Sequence, residues 1–108
     1  MPGKKVLMVT RVNAVWSTLS EFNESWEKTN LPFWLEHGAR HLGSFVNYLG
    51  GPKSQIIRLF EFDDLSHWSR FMQLRETMFD SGQGREAMKK GVLPFVDSIE
   101  ETVWISIY

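Results

Sequence analysis

Between Lys4 and Val12 the chain alternates with a period of two. Val6, Met8, Thr10 and Val12 share one parity, and Leu7, Val9 and Arg11 the other. That spacing predicts a β-strand, because successive side chains point to opposite faces. Both parities are mostly apolar, so both faces of this strand need cover. One covered face is ordinary for an antiparallel sheet, and two call for an explanation. The same period returns over Arg40–Leu49, Ser54–Phe62 and Glu100–Tyr108. In the third strand Ile56, Arg58, Phe60 and Phe62 oppose Gln55, Ile57, Leu59 and Glu61. Gly43 interrupts the second strand and predicts a bulge or a close backbone approach. Gly50-Gly51-Pro52 is strong turn punctuation and makes the second and third strands an antiparallel hairpin.

Between the strands the period lengthens. Leu19, Phe22 and Trp26 fall at i, i+3 and i+7, an apolar helical stripe. Thr18 and Glu21 have capping-box spacing at its start. Pro32 must kink or restart that helix, since it lacks an N–H and clashes with the preceding turn. The cluster Phe33-Trp34-Leu35 follows, and His37-Gly38 ends it. Asp63-Asp64 supplies a carboxylate N-cap for the next helix. That helix carries Leu65, Trp68, Phe71, Met72, Met78 and Phe79 on its apolar side. Asp80–Gly84 reads as a polar loop, and Arg85–Gly91 as a short helix before Pro94.

The order β-α-β-β-α-β predicts a ferredoxin-like α+β fold: one antiparallel four-stranded sheet with helices on one face. Residues 1–108 form a single domain. The second sheet face would then hold Leu7, Val9, Ile57, Leu59, Val103, Ile105 and Ile107. An apolar face of that size marks an interaction surface. A two-fold homodimer, sheet against sheet, is the expected cover.

Composition narrows the function classes. Twelve basic and thirteen acidic residues give a net charge of −1 with no basic patch, so nucleic acid is not an expected partner. No apolar run approaches the ~20 residues of a membrane-spanning helix, and the N-terminus lacks a signal-peptide core. Without cysteine there is neither a disulfide nor a thiolate metal site. A cytoplasmic protein is expected. Five Trp, eight Phe and two Tyr exceed what one small core usually needs. The surplus serves a subunit interface, an aromatic-lined cavity, or both.

The run LPFWLEHGARHLGSFVNYLGGPKSQIIRLFEFDDLSHWSRF resembles the NIPSNAP family of the dimeric α+β barrel superfamily. The matching features are Leu31-Pro32, His37-Gly38-Ala39-Arg40, Leu42-Gly43, Gly50, Gln55 with its apolar strand, and the acidic pair before the second helix. The resemblance implies a homodimer with a cavity between sheet and helices in each subunit. It implies little about chemistry. Ala14-Val15-Trp16 departs from the Pro-Gly turn the family leads one to expect, and DSGQG stands where a Trp is often seen. The haem degraders of the superfamily use an Asn on the first strand, a Trp on the third and a His on a later helix. The matching positions here are Thr10 and Phe60, and no His follows His67, so haem degradation is rejected. No cofactor is expected.

Each candidate site residue also has a plainer structural role. His37 and His41 are four apart, but Gly38 ends the helix between them, so no metal site is expected. Arg58 lies on an apolar parity, where a buried cation needs a partner. It either binds a ligand carboxylate or enolate oxygen, or pairs with Glu61, Glu100 or Glu101. Arg11 has the same two readings, with the dimer face as its home. Of Trp26, Trp34, Trp68 and Trp104, one or two are expected at a cavity, and Tyr48 could donate to a ligand. The candidate ligand-binding set is Thr10, Trp34, Tyr48, Arg58, Phe60 and Trp68. No nucleophile–base pair, paired carboxylates or phosphate loop is visible. The leading expectation is a NIPSNAP-like protein of unassigned activity that binds a small apolar or aromatic ligand, an acid, in a helix-covered cavity. The alternatives are a cofactor-independent monooxygenase or isomerase/cyclase with Arg58 stabilising an oxyanion, and an interaction module with a filled core.

Overall fold

The structure, a computed structural model, describes residues 4–51 and 54–107. Strand β1 (Val6–Ala14) leads through a 3-10 turn, Trp16–Thr18, into α1 (Leu19–Thr29) and α2 (Leu31–Glu36). Strands β2 (Arg40–Val46) and β3 (Gln55–Phe62) form the hairpin. Helices α3 (Leu65–Asp80) and α4 (Gly82–Gly91) follow, then a 3-10 turn, Leu93–Phe95, and β4 (Val96–Ile105). The sheet order is β2-β3-β1-β4 and every neighbouring pair is antiparallel. The chain thus has the ferredoxin-like arrangement that the element order predicts.

Burial follows parity on the two central strands, except that Val9 on the outer parity of β1 is buried as well. Val6, Met8, Thr10, Val12 and Ala14 of β1 are buried, as are Ile56, Arg58, Phe60 and Phe62 of β3. Facing them from the helices are Phe22 and Trp26 of α1, Trp34 of α2 and Phe71 of α3. The aromatic rings are contiguous: Trp34 stacks on Phe60 at 4.2 Å, and Phe71 lies 4.7 Å from Trp34 and 5.1 Å from Phe62. Burying such rings is the main favourable term holding the helices to the sheet.

Local signals account for most element ends. Pro32 sits in the first turn of α2, where its missing N–H costs nothing. Gly38 closes α2 with φ +87°, a conformation that favours glycine. Asp64 caps α3 by accepting from the His67 N–H at 2.8 Å. His67 also ties two helix ends together. Its Nδ1 accepts from the Asp63 N–H at 3.2 Å, so Nε2 carries the hydrogen donated to the His37 carbonyl at 3.0 Å.

Four expectations are corrected. Thr18 stands at the N-cap of α1 but makes no capping bond; its hydroxyl donates to the Val15 carbonyl at 3.2 Å within the 3-10 turn. The DSGQG segment is not a loop. Only Ser81 separates α3 from α4, and its hydroxyl accepts from the Gly84 N–H at 3.0 Å. The helices meet so closely that a Cβ on Gly84 would overlap the Met78 carbonyl oxygen. Third, the last strand begins at Val96 rather than Glu100, because its residues from Val96 onward pair with β1.

The fourth correction concerns facing. Val103 is opposite Met8 and Ile105 opposite Val6, so both share the helix-facing parity. The outer parity of β4 carries Glu100, Thr102 and Trp104 instead. The outer sheet face therefore consists of Leu7, Val9, Ile57, Leu59, Phe45 and Trp104, the last two more than half exposed. Arg11 lies on this face and donates to the Thr102 hydroxyl at 3.3 Å. Pro52 of the hairpin turn and Tyr108 of the last strand lie outside the described residues.

Candidate functional site

Between the sheet and the helices lies a cavity of about 130 Å³. Its walls are Phe22, Trp26, Trp34, Phe79, Met88 and Val92 from the helical layer, with Val12 and Ile99 from the sheet. Its polar lining is Thr10, Asn30, Arg75 and Glu101. A wider cleft of about 310 Å³ adjoins it and shares Asn30, Phe79, Met88 and Val92. Met78, Ser81, Gln83 and Gly84 complete that cleft, so the tight α3–α4 corner shapes its mouth. An apolar void near 150 Å³ is roughly the size that accepts one aromatic ring, and the adjoining cleft gives a second ring room beyond it.

One end of the cavity is charged but neutralised. Arg75 reaches from α3 and donates from Nη1 and Nη2 to the two Glu101 carboxylate oxygens, both at 2.6 Å. The two side chains are 11% and 27% exposed. The guanidinium lies 5.5 Å from the Trp34 ring and 5.7 Å from Phe79. Two-point pairing of this kind is among the stronger charge-assisted contacts. It leaves Arg75 Nε enclosed without a partner. Thr10 is opposite Glu101 across β1 and β4, and its Oγ1 is likewise enclosed without a partner.

Arg58 stands apart from this cavity. It is wholly buried, with its guanidinium carbon 3.9 Å above the Trp26 ring, while Trp26 itself lines the cavity. Nη1 donates to Asn23 Oδ1 at 2.8 Å and to Ser44 Oγ at 3.3 Å. Nε and Nη2 have no partner. Neither Glu61, Glu100 nor Glu101 pairs with it: Glu61 is taken by Arg40 at 3.0 Å and Glu101 by Arg75. Burial pushes the Arg58 pKa down to about 10, against a weak opposing pull from Glu27.

A bulge builds the surroundings of Arg58. The β2–β3 register shifts between His41 and Gly43. Residues three apart in a regular strand face opposite sides; the extra residue, Leu42, puts His41 and Ser44 on the same side, opposite Phe60 and Arg58. Ser44 Oγ is 2.9 Å from His41 Nε2, and the His41 ring stacks on Phe60 at 5.1 Å. Arg58 can only donate, so Ser44 accepts from it and has its own hydrogen free for His41. The absent Cβ of Gly43 makes room for the Phe45 ring on the outer face.

Of the six candidates, the structure brings Thr10 and Trp34 to the cavity. Phe60 is fully buried behind Trp34, and Arg58 is behind Trp26. Trp68 packs against the core with its Nε1 enclosed and unpartnered, and does not line the cavity. Tyr48 is 95% exposed near the hairpin tip, away from the cavity. Two of the four tryptophans weighed, Trp26 and Trp34, line the cavity. Sequence reasoning missed Arg75, Glu101 and Asn30. Arg75 on a helix and Glu101 on a strand are 26 residues apart, and only tertiary pairing joins them. The His41–Ser44 contact was hinted at by Gly43. Among the described residues no group of three or more His, Asp or Glu could hold a metal ion. None of the described helices is long and apolar enough to cross a membrane.

A two-layer sandwich with an aromatic cavity between sheet and helices defines a ferredoxin-like α+β domain, the class to which this chain's fold belongs. Among solved structures it is similar to NIPSNAP proteins. An uncharacterized NIPSNAP-like domain protein from Burkholderia xenovorans superposes with a TM-score of 0.77 at 16% identity, covering 97% of this chain and 87% of that one. A NIPSNAP family protein from Agrobacterium tumefaciens gives 0.75 at 10% identity, covering 96% and 89%. A dabb family protein with a ferredoxin-like fold from Mesorhizobium loti gives 0.65 at 12%, covering 97% and 99%. No family model and no curated protein matches the sequence.

Proposed function

We propose that this NIPSNAP-like domain binds a small apolar or aromatic molecule in the cavity between sheet and helices. The observation that carries the reading is the cavity's construction: aromatic walls, a polar end, and an adjoining cleft that leads outward. Small-molecule sites are typically concave, mostly apolar and supplied with a few placed polar groups. A filled core would not leave this space. The enzyme alternative drew on Arg58 as an oxyanion partner, and that residue sits behind Trp26 rather than in the cavity lining.

The proposal includes a homodimer formed through the outer sheet face, where Phe45 and Trp104 are more than half exposed and Leu7, Ile57 and Leu59 are half-buried. It also keeps the protein in the cytoplasm. A protein that elutes and scatters light as a monomer at micromolar concentration would remove the dimer from the proposal.

The binding test is calorimetric titration with naphthalene, alongside native mass spectrometry of the purified protein for co-purifying small molecules. Val92→Phe, which places a ring in the space between cavity and cleft, is expected to abolish binding while the fold persists by circular dichroism. Binding unchanged in that variant would move the site elsewhere.

A further inference from the structure

The polar end of the cavity has a definite chemical character. The one cation among its described lining residues, Arg75, is already held at two points by Glu101. A ligand carboxylate would meet a second carboxylate there and find no free positive charge. The other buried cation, Arg58, is on the far side of the Trp26 ring. Burying an unpaired anion in such surroundings is strongly unfavourable.

What the end does hold is unused hydrogen-bonding capacity. Thr10 is 7% exposed, lines the cavity, and its hydroxyl has no partner among the described residues. Arg75 Nε has none either. Arg75 Nε–H can only donate, and the Thr10 hydroxyl can donate. Buried polar groups in native proteins are nearly always satisfied, so two unsatisfied donors at one cavity end point to an acceptor supplied from outside the chain.

Resting on the binding reading above, we propose that the cavity selects an uncharged carbonyl compound with an aromatic or apolar body. A ketone, ester, lactone or quinone has this form. Its oxygen accepts from the Thr10 hydroxyl beside the Arg75–Glu101 pair, and its body lies between Trp26, Trp34 and Phe79. The site discriminates against the corresponding carboxylate.

The test uses three probes of one shape: 2-acetylnaphthalene, 2-naphthoate and naphthalene, titrated calorimetrically at pH 7.5 into the full-length protein. The ketone is expected to bind about tenfold or more tighter than the acid. Thr10→Val is expected to lower ketone affinity about five- to tenfold, to leave naphthalene affinity unchanged, and to raise the melting temperature of the free protein by removing an unsatisfied hydroxyl. Thr10→Ser should retain the ketone preference. Glu101→Gln frees the Arg75 charge and is expected to reverse the order in favour of 2-naphthoate. Equal or tighter binding of the acid by the unaltered protein, or a ketone affinity insensitive to Thr10→Val, would overturn the inference while leaving cavity binding intact. Failure of all three probes to bind would fell the cavity reading and this inference with it.

Discussion

Replacing Arg58 separates the contribution of its charge from that of its shape. The guanidinium is fully buried, offers one nitrogen to Asn23 and Ser44, and lies 3.9 Å over Trp26. Burial lowers its pKa from the ordinary arginine value to about 10. At about 1.36 kcal/mol for each tenfold change, holding that charge inside costs roughly 3 kcal/mol. The sign follows from the group being a cation. The cost applies in full below about pH 10 and is relieved only as pH rises above that value toward the ordinary arginine range. Against it stand about 2 kcal/mol for a desolvated cation on Trp and one to two hydrogen bonds of similar worth. Arg58→Met removes cost and gain together, so stability should stay within about 1 kcal/mol of the unaltered protein. Arg58→Lys retains a buried cation, cannot stack as a plane on Trp26 and carries a more strongly hydrated charge, so it should lose about 2 kcal/mol or more. For a domain of this size the second change lowers Tm by roughly 10 °C. Urea denaturation and calorimetry at pH 7 measure both. If the lysine variant proves more stable than the methionine variant, the reasoning fails, because charge at this position would then be worth more than its desolvation.

Gly84→Ala should cost about 3 kcal/mol or more by urea denaturation, since the new Cβ would overlap the Met78 carbonyl oxygen at the α3–α4 corner; a loss under about 1 kcal/mol would show that the corner yields. Arg40 donates to Asp63 at 2.7 Å and holds that carboxyl below its ordinary value. The resulting stability is present above about pH 4 and is lost as pH falls through the lowered value. Asp63→Asn should therefore flatten that part of the acid limb, read from denaturation midpoints between pH 7 and pH 2. Ile57→Glu, on the outer sheet face, should give a folded monomer by light scattering with an unchanged circular dichroism spectrum. A variant that still scatters as a dimer would place the interface elsewhere.

The fold was largely legible because period-two and period-3.6 patterns survive tertiary packing. Ile56, Arg58, Phe60 and Phe62 are all buried on one face of β3 as their parity requires. Pro32, Gly38 and Asp64 mark helix ends by mechanisms confined to a few residues. The fourth strand was shifted because Val96–Ile99 lacks alternation, and only pairing with β1 defines it. That shift also reassigned Val103 and Ile105. The α4 start was missed because glycines at 82 and 84 carry weak helix propensity, while close contact with α3 favours a residue without a Cβ. At the cavity, Thr10 is suggested by the position it matches in the superfamily and Trp34 as one of four tryptophans, and both line it. Arg75 and Glu101 could not be named, since nothing local to either residue indicates the other.

The extra residue in β2 uncouples the length of that edge strand from the core behind it. Leu42 is the residue left over in the pairing, so its deletion would leave His41 opposite Phe60, Gly43 opposite Leu59 and Ser44 opposite Arg58, now in regular alternation. A single-codon loss there would remove the local bend of the edge and keep a hydroxyl against the enclosed cation. The strand can therefore vary in length at Leu42, which is 52% exposed, without disturbing the buried side of the sheet.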